Sequence, residues 1–145
     1  MLIVKDHRNS EGKIIDADKV LENRIENKFW SISDKNPFRK KVAEGDRAIF
    51  FVSSRNGKHF AGDCVVTSTV KPLDRVRRGQ LLGYPSITFE YCFEISGKLW
   101  ERRVEVAEVI DEVSFIKNKD RWWSYFQGGM RPIGEDDFMT ILGHS

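Results

Sequence analysis

The amino-acid sequence predicts an α+β domain, a small mixed β-barrel or strongly curved sheet of five to six strands with short helices at its flanks. Three observations indicate this class. Several apolar runs have the length of strands, Asn56-Gly57 between two of them is the strongest short-range hairpin signal, and the helical segments are short and carry capping residues. The 145 residues suit one domain, 1–145, and they contain no internal repeat and no linker.

The N-terminal part of the chain is predicted to form a strand, a turn, a helix and a loop. The helix is assigned because Val20, Leu21 and Ile25 lie on one face, with Asp16 or Asp18 before them as the cap. In chain order the predicted elements are a buried strand at 2–4, a polar turn at 6–12, this helix, an extended segment at 29–33 and a basic loop at 34–41.

The first predicted hairpin consists of strands at 48–53 and 60–70 around Asn56-Gly57. Gly62 lies inside the second of these strands. A glycine in a strand marks a bulge or a place where another backbone approaches closely. We therefore expect an irregular ladder at this position.

A long loop and a second hairpin are predicted next. Residues 71–86 form a loop of sixteen residues, which is longer than a compact domain usually carries without a functional reason. Apolar residues alternate with polar ones from Ile87 to Ile95, a turn follows at 96–98, and a return strand runs over 99–107. The loop is the first indication of a site.

Two short helices are predicted near the C-terminus. Asp120 can cap a helix at 121–126 that stops at Gly128-Gly129. The last helix, at 135–142, begins with three acidic residues, which suit the positive end of its dipole.

The charge of the chain is unevenly distributed. The net charge is only +2, but residues 35–86 hold eleven basic and four acidic residues, a net of +7. Residues 87–116 hold three basic and seven acidic residues, a net of −4. The basic middle third could form one positive face after folding, although a solvated surface is the more common meaning of such a run.

Several function classes are disfavoured by what the sequence contains. The two cysteines and three histidines have no metal-binding spacing, so we expect no metal and no cofactor. No nucleotide-binding loop or nucleophile motif is recognisable, so an enzyme is the weaker class. The N-terminal residues do not resemble a signal peptide and no run is long enough to cross a membrane, so we expect a cytoplasmic protein.

Two segments resemble known families. The run FIKNKDRW at 115–122, followed by Phe126, MRPI at 130–133 and EDDF at 135–138, resembles the closing motif of EVE domains, which belong to the PUA-like superfamily. The segment KFWS at 28–31, followed by IFFVS at 49–53 and NGKHFAG at 56–62, is similar to the related YTH domains. The resemblance implies a PUA-like barrel that binds nucleic acid containing a modified base.

The resemblance also implies a set of pocket residues. Trp30 matches the cage tryptophan of YTH domains, Ser31 its neighbour at the base edge, and Tyr84 before Pro85 the aromatic-proline pair of EVE domains. Trp122 matches the closing motif. Each of these residues also has a purely structural interpretation. Trp30 could pack in the core, Tyr84 could be a turn residue, and Trp122 could lie on the inner face of its helix. Asp16 could face the base edge or merely cap its helix.

A methylated base is larger and less hydrated than its parent, so aromatic planes favour it by stacking and apolar burial. Such a pocket reaches only a single-stranded or flipped base, and a basic rim must hold the phosphates. The predicted rim residues are Lys35, Arg39, Lys40, Lys41, Arg75, Arg77 and Arg78. We expect a monomeric protein that binds RNA or DNA. The alternatives are a PUA-like RNA-binding domain without a preference for modified bases, and a nucleotide-handling enzyme.

Overall fold

The structure is a computed structural model that describes residues 1–82 and 89–145. Within these two ranges, the 3-10 helices Arg39–Lys41 and Lys119–Phe126 accompany the regular elements. In chain order these elements are β1 (Leu2–Lys5), β2 (His7–Arg8), β3 (Ile14–Ile15), α1 (Ala17–Glu26), β4 (Phe29–Ile32), β5 (Arg47–Ser54), β6 (Gly57–Val66), β7 (Lys71–Pro72), α2 (Arg75–Gly79), β8 (Tyr91–Glu105), α3 (Val106–Val109) and α4 (Glu135–His144).

One mixed sheet of six strands organises the molecule. Its order is β1-β5-β6-β8-β4, with β7 paired to β8, while β2 and β3 form a separate small hairpin. Only the β1–β5 pair is parallel, and the other pairs are antiparallel. The predicted α+β class, with a mixed sheet of six strands and short helices, is confirmed. Because β1 and β4 end the strand order, they are the strands that can border an opening.

Two apolar clusters pack on opposite faces of the sheet. Alternate residues of β5 enter different clusters, since side chains alternate across a strand. Phe50 and Val52 join the cluster that contains Trp30, whereas Ile49 and Phe51 join the cluster that contains the C-terminal aromatic residues. All four β5 side chains are fully buried. The N-terminal helix α1 packs on the first face, and α3 and α4 pack on the second.

The hairpin at Asn56-Gly57 is confirmed, but the predicted turn at 96–98 is wrong. Strand β8 continues through Gly97, which pairs with Cys64 of β6. A side chain at Gly97 would lie 3.0 Å from both the Cβ atom of Cys64 and the ring of Phe50. The glycine therefore lets β8 pass close over a buried ring and does not mark a turn. Residues 87 and 88 of the predicted alternating strand lie outside the described part of the chain.

The predicted long loop at 71–86 is also partly wrong. It contains β7 and the helix α2, and the side chain of Asp74 accepts a hydrogen bond from the Arg77 amide at 2.7 Å as the helix cap. An aspartate directly before a run of good helix formers is a helix start signal. The loop interpretation overlooked it because the helix has only five residues.

Helix caps differ from the predicted ones at two places. Asp16 occupies the N-cap position of α1 without a side-chain cap, and Asp6 instead accepts from the Ala17 amide at 2.7 Å. At the 3-10 helix Lys119–Phe126 the capping side chain is Asn118, which accepts from the Asp120 amide, rather than Asp120 itself. The predicted last helix is confirmed as α4.

Candidate nucleic-acid interface

A cavity of about 170 Å³ opens between the two outer strands of the sheet. Trp30 and Ser31 of β4 form one wall, and Ile3–Lys5 of β1 with Gly128-Gly129 form the other. Helix α1 and Phe89 complete the lining. We call this cavity the β1–β4 pocket. It lies on the face of the sheet where the Trp30 cluster packs.

Trp30 is both a core residue and a wall of the β1–β4 pocket. Its side chain is only 4% exposed, and its indole stacks on Phe50 with ring centroids 5.7 Å apart and an angle of 26°. Ser31, the next residue, is buried as well. Because Phe50 supports the indole from behind, the aromatic wall is held rigid before any ligand enters.

A buried arginine that the sequence reasoning missed also lines the pocket. Arg24, near the end of α1, is 3% exposed and its guanidinium lies 5.1 Å from the ring centroid of Phe29. Its Nη1 atom donates to Asn23 at 2.5 Å. Position 24 lies one turn after Val20, on the apolar face of α1. This spacing in the sequence could have indicated that Arg24 is buried. An arginine there brings hydrogen-bond donors to an apolar pocket.

The chain on both sides of residues 83–88 lies near this pocket. Before that segment, the backbone of Leu82 hydrogen-bonds His7, which lies beside Arg24. The pKa of His7 is lowered overall. Burial and the Arg24 cation both lower this pKa, and together they outweigh the Leu82 hydrogen bond, which raises it. After the segment, Phe89 lines the pocket directly. Tyr84, the second predicted cage residue, lies outside the described residues.

Two other predicted pocket residues do not line the β1–β4 pocket. Asp16 lies 3.1 Å from Arg55, measured between carboxylate oxygen and guanidinium nitrogen, at the turn that joins β5 and β6. Trp122 packs edge-on against Phe126, 5.9 Å between ring centroids, in the cluster on the opposite face of the sheet. The structure therefore brings Trp30 and Ser31 together and separates Asp16 and Trp122 from them.

The predicted phosphate-binding residues differ in their exposure. Lys35, Lys40, Lys41, Arg75 and Arg78 are exposed on the surface. Arg39 is partly buried, with its guanidinium 4.6 Å from the ring centroid of Tyr91 and its Nε donating to the Asp34 carbonyl at 3.0 Å. Lys35, Lys40 and Arg75 therefore present exposed charge at the surface, whereas part of the Arg39 side chain is used within the fold.

Arg77 is bound within the fold. Its Nη1 donates to the Asn27 carbonyl at the end of α1 at 2.6 Å, and its guanidinium lies 3.5 Å from Glu94 and 5.0 Å from the ring centroid of Phe29. Its side chain is 19% exposed. This geometry gives Arg77 a structural role that joins α2 to α1 and β8.

Replacing Arg77 with alanine is expected to lower the free energy of unfolding by about 1–2 kcal/mol, because the Asn27 carbonyl loses its donor and Glu94 loses one of its two cationic partners. Urea unfolding followed by circular dichroism measures it. Arg75→Ala on the same helix is the matched control and should change stability by less than about 0.5 kcal/mol. Equal effects of both substitutions would contradict the structural role.

The remaining candidate chemistry is limited. Burial raises the pKa of Cys64 to about 12 and also raises that of Cys92, so both thiols are protonated and weakly nucleophilic at neutral pH. Across residues 1–82 and 89–145 no group of side chains is arranged to hold a metal ion. Over the same residues no helix is long and apolar enough to cross a bilayer.

Comparison with known proteins gives the context of this fold. No model of a known protein family matches the chain. A UPF0310 protein of Pyrococcus abyssi is 25% identical over 123 residues, covering 80% of this chain and 85% of that protein.

Two solved structures share the fold over nearly the whole chain. The YTH domain of the Zygosaccharomyces rouxii MRB1 protein, solved in complex with N6-methyladenosine RNA, has a TM-score of 0.58 and 14% identity, covering 99% of this chain and 84% of that one. The DUF55 domain of human thymocyte nuclear protein 1 has a TM-score of 0.60 and 11% identity, covering 98% and 96%. The chain thus shares the fold of these YTH and DUF55 domains.

Proposed function

We propose that this chain is an EVE-type, PUA-like module that binds RNA or DNA and holds one modified base in the β1–β4 pocket. The observation that carries the proposal is the wall formed by Trp30 and Ser31 beside the buried cation of Arg24. Trp30 and Tyr84 are the proposed aromatic walls. The module acts as a monomer on a single strand or a flipped base.

The size and lining of the pocket support a base as its ligand. A cavity of about 150 Å³ is enough to hold one benzene ring, and the β1–β4 pocket has about 170 Å³. A flat aromatic ring fits such a space, and stacking a base on one aromatic side chain contributes about 1–3 kcal/mol.

The charges of the pocket support binding rather than catalysis. Its described lining includes the cations Lys5 and Arg24 and no carboxylate, thiol or imidazole. Donors without a general base suit a ligand rich in acceptors, such as the edge of a nucleobase. The exposed residues Lys35, Lys40 and Arg75 are the proposed contacts to the flanking phosphates.

The related structures support the same proposal from another direction. The YTH domain that shares this fold was solved with RNA that contains N6-methyladenosine. In this chain the Trp30-Ser31 pair and the Asn56-Gly57 hairpin lie in the order that the resemblance to YTH domains implies. Membership in the EVE family remains part of the proposal.

Fluorescence anisotropy with labelled 12-residue single strands tests the function. The strands differ at one central base, which is adenine, N6-methyladenine, cytosine or 5-methylcytosine, in RNA and in DNA. We expect one modified strand to bind at least about fivefold more tightly than its unmodified partner. Replacing Trp30 with phenylalanine, which keeps an aromatic side chain in the core, should reduce this ratio strongly.

The matched control is Trp123→Phe, because Trp123 is 47% exposed and packs against Trp122 in the opposite cluster. It should leave the ratio unchanged. Lys40→Gln should weaken every strand alike and make binding less dependent on salt. Negligible, salt-insensitive binding of all strands would refute a nucleic-acid interface. Equal but salt-sensitive binding would refute the preference for a modified base.

A further inference from the structure

A second and larger cavity of about 630 Å³ lies at the start of β1. All three methionines of the chain, Met1, Met130 and Met139, line it, and we call it the methionine cleft. Met130 is buried, whereas Met139 is 50% exposed at the mouth. Methionine side chains are flexible and polarizable, so a surface that concentrates them adapts to ligands of different shape.

The floor of the methionine cleft is apolar and its rim is cationic. Leu2 and Phe93 belong to the floor, and Lys41, Arg47 and Arg131 lie on the rim. The guanidinium of Arg47 lies 4.5 Å from the ring centroid of Phe138. This combination suits a ligand that has both a flat apolar part and a negative charge.

Arg131 has a donor that the fold does not use. Its Nη1 donates to the Tyr125 carbonyl at 2.9 Å, but its Nε is buried without a hydrogen-bond partner. A buried donor on a charged group without a partner is unfavourable, so an acceptor that reached it would be bound well. Of the two acids in the lining, Asp46 is engaged by the Ala43 amide at 2.9 Å, and Glu135 begins α4.

The methionine cleft and the β1–β4 pocket lie along one edge. Residues 128–131 run antiparallel to β1: the Ile3 amide donates to the Gly129 carbonyl at 3.0 Å, and the Arg131 amide donates to the Met1 carbonyl at 3.1 Å. Gly128-Gly129 line the pocket, and the next two residues line the cleft. A strand rises about 3.3 Å per residue, so the two cavities are roughly 7 Å apart along this edge.

The methionine cleft and the β1–β4 pocket are also close to each other at β4 and β8. Trp30 of the pocket and Phe93 of the cleft are directly paired residues of β4 and β8. Paired residues on antiparallel strands have side chains on the same face, about 5 Å apart. Both side chains are buried in the same cluster, so the two cavities are adjacent where they meet this part of the core.

We propose that the methionine cleft binds the nucleotide next to the modified base on the same strand. Its base packs against Met139 and the apolar lining of the cleft, and its phosphate meets the exposed cations Arg47 and Lys41. This inference rests on the proposed function of the β1–β4 pocket. It makes the module a reader of two successive nucleotides, with base-tolerant stacking at the second.

The test uses the full chain with ¹³C-labelled methionine methyl groups and a ¹⁵N-labelled Trp30 indole. The probes are two 5′-mononucleotides, which carry N6-methyladenine or 5-methylcytosine. Each is also tested as a dinucleotide with uridine, with the uridine placed either before or after the modified nucleotide. Mononucleotides should shift the Trp30 signal alone. One order of dinucleotide should also shift the Met130 and Met139 methyl signals and bind at least about fivefold more tightly.

Arg47→Gln is the test variant, since Arg47 is exposed and the substitution removes its charge from the rim without removing a buried side chain. It should remove the gain from the second nucleotide and keep the affinity for the mononucleotide. Lys58→Gln is the matched control because Lys58 of β6 pairs with Ser53 near the far end of β5, about 20 Å from Arg47 along the strand.

Methionine methyl signals that stay unshifted while the Trp30 signal responds would overturn the inference and leave the proposed function intact. Equal methyl shifts with a dinucleotide that has an uncharged methylphosphonate link would also overturn it, since the rim would not bind phosphate. A Trp30 signal that responds to no probe would overturn both proposals.

Discussion

Gly62→Ala is expected to destabilise the protein by about 3 kcal/mol, enough to leave much of a marginally stable domain unfolded. A Cβ atom at this position would lie 2.1 Å from the Lys98 carbonyl oxygen and 3.1 Å from the Leu99 Cα atom. Both atoms belong to the backbone of β8, so no side-chain rotation relieves the clash. The register of the strand pairing shifts next to Gly62 on both sides of β6, where it pairs with β5 and where it pairs with β8.

Thermal and urea unfolding of purified variants measures the effect of Gly62→Ala. Gly143→Ala is a suitable control, because nothing lies within 4 Å of its added Cβ atom and the residue is helical. That substitution should leave stability unchanged or raise it by up to about 1 kcal/mol. An unfolding midpoint of Gly62→Ala equal to that of the wild type would contradict the close approach of β6 and β8.

Asp6→Ala is expected to lower the free energy of unfolding by about 3 kcal/mol, since three donors lose one charged acceptor. The carboxylate accepts from the Ala17 amide at 2.7 Å, the Ser54 hydroxyl at 2.8 Å and the Arg55 amide at 2.9 Å. It thereby joins the end of β1 to the start of α1 and to the β5–β6 turn. Since α1 carries Arg24, nucleotide affinity should fall too.

The pH dependence gives this prediction a second measurement. Desolvation raises the pKa of Asp6, but the hydrogen bonds from Arg55, Ala17 and Ser54 outweigh it, so the pKa lies below its usual 3.8. A lowered folded pKa adds stability above the unfolded value, and that stability is lost as the pH falls through the folded value.

The isosteric variant Asp6→Asn should therefore be less stable than the wild type at pH 7, and the difference should shrink below about pH 4. Urea midpoints between pH 3 and 7 measure this difference. Asp136→Asn, an exposed acid at the start of α4, is the comparison and should show a smaller change with pH. A constant difference between Asp6→Asn and the wild type would show that the Asp6 charge contributes nothing.

Local sequence signals predicted the fold correctly where a few adjacent residues determine a turn or the start of a helix. The Asn56-Gly57 pair correctly predicted the β5–β6 hairpin, and the acidic first turn correctly predicted α4. Gly97 misled the prediction because its requirement is tertiary: the space over Phe50 and Cys64 is too small for a side chain. A sequence does not distinguish a glycine that turns the chain from one that lets another residue pass.

The candidate site was predictable only where its residues are adjacent in the chain. Trp30 and Ser31 follow one another and line the same pocket. Arg24 was missed because a charged residue on a helix is normally solvated, whereas the guanidinium of this one packs over the ring of Phe29. Trp122 was assigned to the pocket by motif, but the sheet separates its cluster from that of Trp30.

The length of β8 governs how the molecule assembles. This one strand pairs with β4, β6 and β7, which all precede it in the chain, and the segment at Gly128-Gly129 closes the β1–β4 pocket still later. Contacts between distant parts of a chain form slowly, because loop-closure entropy must be overcome first. During synthesis the ribosome must therefore release the chain through Gly129 before the β1–β4 pocket can form, and nascent chains that lack β8 leave β4 without this partner strand.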